Sequence, residues 1–238
     1  TERKAYEKRL EEQRDGLDLL NQVLRHDIRN DLQVVTGYGE VLTDHVDDEG
    51  ADYLDTLRTN AEHAVELTRT ARDLADVMLS TEGEKRDRVP LRETLEAEID
   101  KLDAEYPAAC VAIEGSVPAV PVRADAMLDS VFRNLLTNAV QHNDKDVPEI
   151  SIAATADDER VTVRIADNGP GVPDDQKETI FGKGEKGLDS EGTGLGLYLV
   201  QHLVTRYGGS VWVEDSDPTG AVFVVELPRA DAGGMRIR

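Results

Sequence analysis

Between residues 57 and 78 the positions Leu57, Ala61, Ala64, Thr68, Ala71, Ala75 and Met78 alternate spacings of four and three without a fault. Such a spacing keeps one stripe on one side of an α-helix, so the segment requires a second helix to cover it, as a coiled-coil or bundle seam. Upstream, Leu10, Leu17 and Leu24 recur every seven residues, and Leu20, Ile28, Leu32 and Val35 continue the stripe. The polar run Asp44-His45-Val46-Asp47-Asp48-Glu49-Gly50 separates the two helices. Leu54, Val65, Leu67 and Leu74 widen the second stripe beyond a two-stranded seam. One hairpin cannot bury that much apolar surface. Two hairpins can, as a four-helix bundle formed by a homodimer.

The expected organisation is a helical region over 1–82, a linker over 83–89, an α/β domain over 90–230 and a tail over 231–238. In the α/β part, Leu91, Leu95, Ile99 and Leu102 mark an amphipathic helix, and residues 108–113 read as a strand. Residues 125–141 form a helix with Leu128, Val131, Phe132, Leu135 and Ala139 on its core face. Two hairpins follow. One joins residues 149–156 to 160–166 through Asp157-Asp158-Glu159, and the other joins 210–214 to 221–227 through Asp217-Pro218-Thr219-Gly220. A helix from Leu195 ends at Tyr207-Gly208-Gly209, a C-cap signal. Strands that neighbour partly by hairpins give a mixed sheet and not a doubly wound one.

Acidic residues number 49 against 27 Lys and Arg, a formal charge of −22. That field repels phosphate backbones and excludes a generally basic nucleic-acid-binding surface. Its even spread, with scarce lysine, fits a surface adapted to high salt in a halophilic source; an ordinary acidic cytosolic protein is the alternative. The one cysteine, Cys110, excludes an internal disulfide and lies in the apolar run Ala108-Ala109-Cys110-Val111-Ala112-Ile113, where a buried thiol is expected. That run is the longest of its kind, far short of the roughly 20 residues of a membrane span, so no membrane contact is expected within these residues. The first residue is Thr1 and not Met, and the chain is read as the cytoplasmic fragment of a longer protein.

Several polar positions could carry chemistry. His26 lies about 200° around the helix from Leu24 and Ile28, away from the apolar stripe. Asp27 can hold one ring N–H and free the other nitrogen, and Asn30 lies one turn on. Asn134, Asn138 and His142 form an i, i+4, i+8 ladder beside a core face. This is either a solvated stripe or a set of oxygen ligands for Mg²⁺ and hydrogen bonds for a nucleotide. Asp167-Asn168-Gly169-Pro170-Gly171 follows a strand. It is either a turn or a site where Asp167 accepts from the amino group of adenine and the glycines admit the base. Gly192-Thr193-Gly194-Leu195-Gly196-Leu197 lacks the dinucleotide-fold and P-loop spacings, but it opens a helix whose N–H groups can meet phosphate.

These boxes, with Ile180-Phe181-Gly182 between them, occur in an order that resembles a sensor histidine kinase of two-component systems. The resemblance covers about residues 15–228. It implies a signalling helix and a dimerisation and histidine-phosphotransfer hairpin, then a GHKL-type α/β sandwich with ATP under a lid at about 172–191. It implies His26 as phosphoacceptor, Asp27 as its acid/base partner and Asn30 as the residue that positions phosphoryl group or water. Asn138 becomes the Mg²⁺ ligand, with Asn134 and His142 beside it. Asp167, Gly169 and Gly171 shape the adenine pocket. Phe181, Lys183, Gly192, Thr193, Gly194, Leu195 and Gly196 complete the ATP contacts. A response-regulator receiver domain is the implied partner.

Three departures from the family pattern stand out. Asp31 replaces the usual proline after the histidine box, which removes a helix kink. Gln141 and His142 replace a basic residue and an aromatic one, so Lys145, Lys183 or Lys186 is expected to supply the phosphate-facing charge. The short lid carries Lys183 and Lys186 where aromatic residues are common. The competing readings are a GHKL ATPase that does not phosphorylate itself and a nucleotide-sensing dimeric adaptor. The trio His26, Asp27 and Asn30 argues against the first; the Asn138 and glycine boxes argue against the second.

Overall fold

The computed structural model describes residues 28, 32, 34–39, 41–42, 45–79, 87–182 and 195–230. They form two compact units that divide at Asp76 and Val77.

In the first unit, residues 34–39 are helical and α1 spans Asp48–Leu79. Asp47 starts α1 by accepting the Gly50 amide on its side chain at 2.9 Å, an N-terminal capping contact. Of the 4-3 seam, Ala61 is buried, Ala64, Thr68 and Ala75 are half-buried, and Leu57 and Ala71 are exposed. Thr70, Leu74 and Val77 are buried as well, on a different side of the helix, so the seam accounts for only part of what α1 covers. Val34, Tyr38, Val41 and Tyr53 stay exposed.

The second unit comprises β1 (Asp87–Pro90), α2 (Leu91–Glu105), β2 (Cys110–Glu114), β3 (Pro121–Ala124) and α3 (Leu128–Gln141). The hairpin of β4 (Glu149–Ala156) and β5 (Arg160–Asp167), the helix α4 (Leu195–Arg206), and the hairpin of β6 (Ser210–Asp215) and β7 (Ala221–Pro228) complete it. The sheet runs in the order β2-β4-β5-β7-β6, with β2 parallel to β4 and every other neighbour antiparallel. It is therefore mixed, as the hairpin pattern predicts. The three helices pack beside one another and onto the sheet. Ile150, Ile152, Val161, Val163 and Ile165 meet Leu95, Leu128, Leu135, Leu199 and Leu203 in the core between them, all essentially fully buried. Each such side chain contributes roughly 1.5–3 kcal/mol on burial.

The register brings Arg164 and Trp212 opposite Val224 from its two sides, and Val224 is fully buried on the sheet face away from the core. Tyr207, just past α4, is buried and donates to Asp125 Oδ1 at 2.5 Å, which also accepts the Met127 amide at 2.9 Å. Burial, and then the Asp125 carboxylate, push the Tyr207 phenol far above its usual range. The contact joins the end of α4 to the start of α3, which begins at Leu128 and not at Asp125.

Two expectations are corrected. Cys110 is exposed and not buried. β2 is an edge strand with a neighbour only at β4, and of its residues Val111 alone is even half-buried. Val89-Pro90-Leu91 reads in the sequence as a short extended segment, and it falls on β1; its partner β3 was not legible as a strand. β1 begins at Asp87, inside the stretch read as linker, and runs antiparallel to β3, with Asp87 opposite Ala124 and Pro90 opposite Pro121. Pro118 and Pro121 flank and enter β3, which argues against a strand unless it lies in a short peripheral sheet such as this one.

Candidate functional site

His26, Asp27, Asn30, Lys183, Lys186, Gly192, Thr193 and Gly194 lie outside the described residues. The rest of the expected site lies on α3, on the turn after β5 and on the first turn of α4.

The α3 ladder does not face solvent evenly. Asn134 is 6% exposed, and its Nδ2 donates to the Ser130 carbonyl at 2.6 Å. Its Oδ1 faces α4: a Cβ at Gly196 would lie 2.7 Å from that oxygen. Gly196 therefore permits the first turn of α4 to approach Asn134, a closeness any side chain would prevent. Asn138 is half-buried, and its carboxamide has no hydrogen-bond partner among the described residues. His142 is exposed and forms the C-cap of α3 through its backbone N–H to Asn138 O at 3.1 Å.

Asp167 ends β5 between β4 and β7. Its Oδ1 accepts the Gly169 amide at 2.9 Å and the Ala221 amide at 3.2 Å, while Oδ2 has no partner among the described residues. Burial raises the carboxyl above the usual aspartate range, and the two amides oppose that shift. The β6–β7 turn backs the site closely. Gly220 has φ +121°, and a Cβ there would come within 1.9 Å of the Asp167 carbonyl oxygen. Gly171, at φ +78°, faces the Gly220 carbonyl in turn. Gly169 is buried against Asn143. Phe181 is 3% exposed and packs edge-on to Phe223, with centroids 6.3 Å apart, so its ring is anchored on β7. Lys145 is exposed and pairs with Asp144 at 2.8 Å.

The fold thus brings Asn134 to Gly196, and Asp167 to Gly169. Sequence reasoning missed Ala221, whose backbone amide orients Asp167, because a main-chain donor leaves no residue signature. It also missed Asn143 and the use of Asn168, whose carboxamides bond at 2.8 Å. Asn168 stood inside a box already singled out, but its partner lies 25 residues away.

For Mg²⁺, the donor set is sparse. No group of three or more His, Cys, Asp or Glu side chains converges among the described residues. A cation here would draw on substrate phosphates plus one protein oxygen, the usual mode for Mg²⁺ beside a nucleotide, and the unpartnered Asn138 carboxamide fits that role. No helix among the described residues is long and apolar enough to cross a membrane.

Residues 17–78 match the His Kinase A (phospho-acceptor) domain, and residues 124–231 match the histidine kinase-, DNA gyrase B-, and HSP90-like ATPase family. The sensor protein KdpD of Escherichia coli is 30% identical over 216 residues, covering 88% of this chain and 24% of that protein. The sensor-type histidine kinase PrrB of Mycobacterium tuberculosis is 30% identical over 213 residues, covering 87% of this chain and 46% of its own length. The chain thus spans less than half of either curated relative. Among solved structures, full-length ShkA in complex with AMPPNP superposes with a TM-score of 0.59 at 25% identity, covering 88% of this chain and 45% of that one. The ATP binding domain of PrrB from Mycobacterium tuberculosis gives 0.51 at 25%, covering 61% of this chain and 98% of that one. A segment matching the phospho-acceptor domain thus precedes one matching the histidine kinase-, DNA gyrase B-, and HSP90-like ATPase domain, and over most of its length the chain is similar to sensor histidine kinases.

Proposed function

We propose that this chain uses ATP to phosphorylate itself on His26 and passes the phosphoryl group to an aspartate of a response-regulator receiver domain. The supporting observation is Asp167: one carboxylate oxygen is held by two main-chain amides, and the other is left open for the amino group of adenine. Asn138 would hold Mg²⁺, which offsets charge on the phosphoryl oxygens when bound. The unprotonated ring nitrogen of His26 attacks the γ-phosphorus. A P–N bond forms, the bond to the β,γ-bridging oxygen breaks and ADP leaves. Asp27 holds the other ring nitrogen and accepts its proton. In the second step the receiver carboxylate forms a P–O bond as the P–N bond breaks, and Asp27 returns its proton to the leaving imidazole. Asn30 orients water for removal of phosphate from the regulator. Phosphoryl transfer needs positioning and charge neutralisation more than covalent help from the protein, which suits so small a set of side chains.

We further propose that the chain is a cytoplasmic homodimer joined through the helical hairpin by a coiled-coil seam, and that its acidity is an adaptation to high salt. The deciding experiment follows label from γ-phosphate-labelled ATP. The wild type should accumulate acid-labile, alkali-stable phosphate. His26→Gln should abolish it and leave ATP affinity within about twofold, since the nucleotide site is complete without it. Acid-labile phosphate persisting in His26→Gln would place the acceptor on another histidine.

A further inference from the structure

The carboxamides of Asn143 and Asn168 form a bridge that no step of the proposed reaction uses. Asn143 stands just past the C-cap of α3 and is half-buried. Its Nδ2 donates to Asn168 Oδ1 at 2.8 Å, and its Oδ1 accepts the Lys145 amide at 3.0 Å. Asn168 Oδ1 also accepts the Glu149 amide at 3.0 Å, at the first residue of β4, and Asn168 Nδ2 donates to the Val147 carbonyl at 3.3 Å. Two side chains thus tie together the end of α3, the connection into β4 and the turn after β5. Gly169 packs directly on the bridge: a Cβ there would meet the Asn143 Cα and Cγ at 3.5 Å. The amide of that same glycine holds Asp167 Oδ1.

We propose that Asn143 and Asn168 act as a cross-brace that sets the Asp167 carboxylate relative to Asn138 and so serve as positioning residues for recognition of the base. The inference rests on the nucleotide-binding reading above. Asn138 lies five residues before Asn143 on α3, and Asp167 immediately precedes Asn168. A ligand that contacts both must find their separation already set; the half-buried Asn143–Asn168 bond sets it more firmly than the exposed bonds to Lys145, Glu149 and Val147, which water competes for. Freed of the brace, the turn can rotate the open oxygen of Asp167 away from an exocyclic amine while phosphate contacts elsewhere persist.

The test measures ATP and GTP affinity by calorimetry on the full chain. Asn143→Ala should weaken ATP about tenfold, the order expected for a broken half-buried bridge, and leave GTP within about twofold. Combined with Asp167→Asn, it should add no further loss, because both changes remove one effect. Asn143→Ser, which keeps a polar side chain beside the Lys145 amide, should give the same pattern and serves if the alanine variant does not fold. Unchanged ATP affinity, an equal loss for both nucleotides, or losses that add to that of Asp167→Asn would each overturn the brace. A wild-type chain that binds no nucleotide would overturn the underlying reading and the brace with it. A wild type that binds ATP through Asp167 while Asn143→Ala is silent would remove the brace alone.

Discussion

At the scale of single residues, Asp167 sets stability against the recognition of adenine proposed for it. Burial makes its charged form unfavourable in the folded chain, and the two amides on Oδ1 only partly offset this. A carboxyl with a raised folded pKa binds its proton more tightly when folded than when unfolded. Its ionisation therefore lowers stability at neutral pH, and that penalty is relieved as pH falls through the raised folded value. Asp167→Asn keeps an acceptor for both amides and removes the charge. It should raise the thermal midpoint of the nucleotide-free chain at neutral pH, with the difference shrinking in acid. The same variant should weaken ATP by about 1–3 kcal/mol, because the adenine amine loses its charged acceptor. Calorimetry with and without ATP checks both signs; a variant that loses midpoint and keeps ATP affinity would remove Asp167 from the site. Cys110 makes a simpler prediction. Exposed on β2, it should react completely with a thiol reagent in the folded chain, at a rate that denaturant raises little. A thiol that labels only on unfolding would contradict its exposure.

At the scale of elements, the site is a product of hairpin geometry. The β6–β7 turn sits so close to the end of β5 that Gly220 has no room for a side chain, and its positive φ is strained for any other residue. Gly220→Ala should cost at least about 2 kcal/mol in denaturant unfolding and should also weaken ATP, because the displaced turn carries the Ala221 amide away from Asp167. Loss of stability without loss of ATP affinity would show that the turn does not orient the carboxylate. Helix α4 makes a comparable close approach at Gly196, against Asn134. The hairpins themselves were legible. Ile150 and Ile152 alternate with Ser151 and Ala153, and Val161, Val163 and Ile165 with Thr162 and Arg164, which marks two half-buried strands before any partner is known. Strand β3 was not legible, because Pro118 and Pro121 obscure it and its partner β1 lies some thirty residues upstream.

At the scale of the whole molecule, the formal charge of −22 opposes pairing of two chains at low salt. Val34, Tyr38, Val41, Tyr53 and Leu57 are exposed apolar residues of the helical unit, a surface that pairing of two chains would cover. Light scattering should give a dimer at micromolar concentration in molar salt, and a weaker one as salt is lowered and repulsion between the two acidic chains is less screened. A monomer in molar salt would refute the bundle.

The sequence by itself determined what depends on local backbone geometry: the long helix α1, the amphipathic α2 and α3, two hairpins and a mixed sheet. Helix and strand periods are written over a few consecutive residues, so no partner is needed to read them. The tertiary structure alone decided which groups meet. It tied Oδ1 of Asp167 to Ala221, bridged Asn143 to Asn168, turned Asn134 toward Gly196 and left Cys110 on an open edge. Those outcomes depend on strand order and on approaches of a few ångströms between segments far apart in the chain. Contacts of that kind are selected by packing of the whole core, and no window of local sequence encodes them.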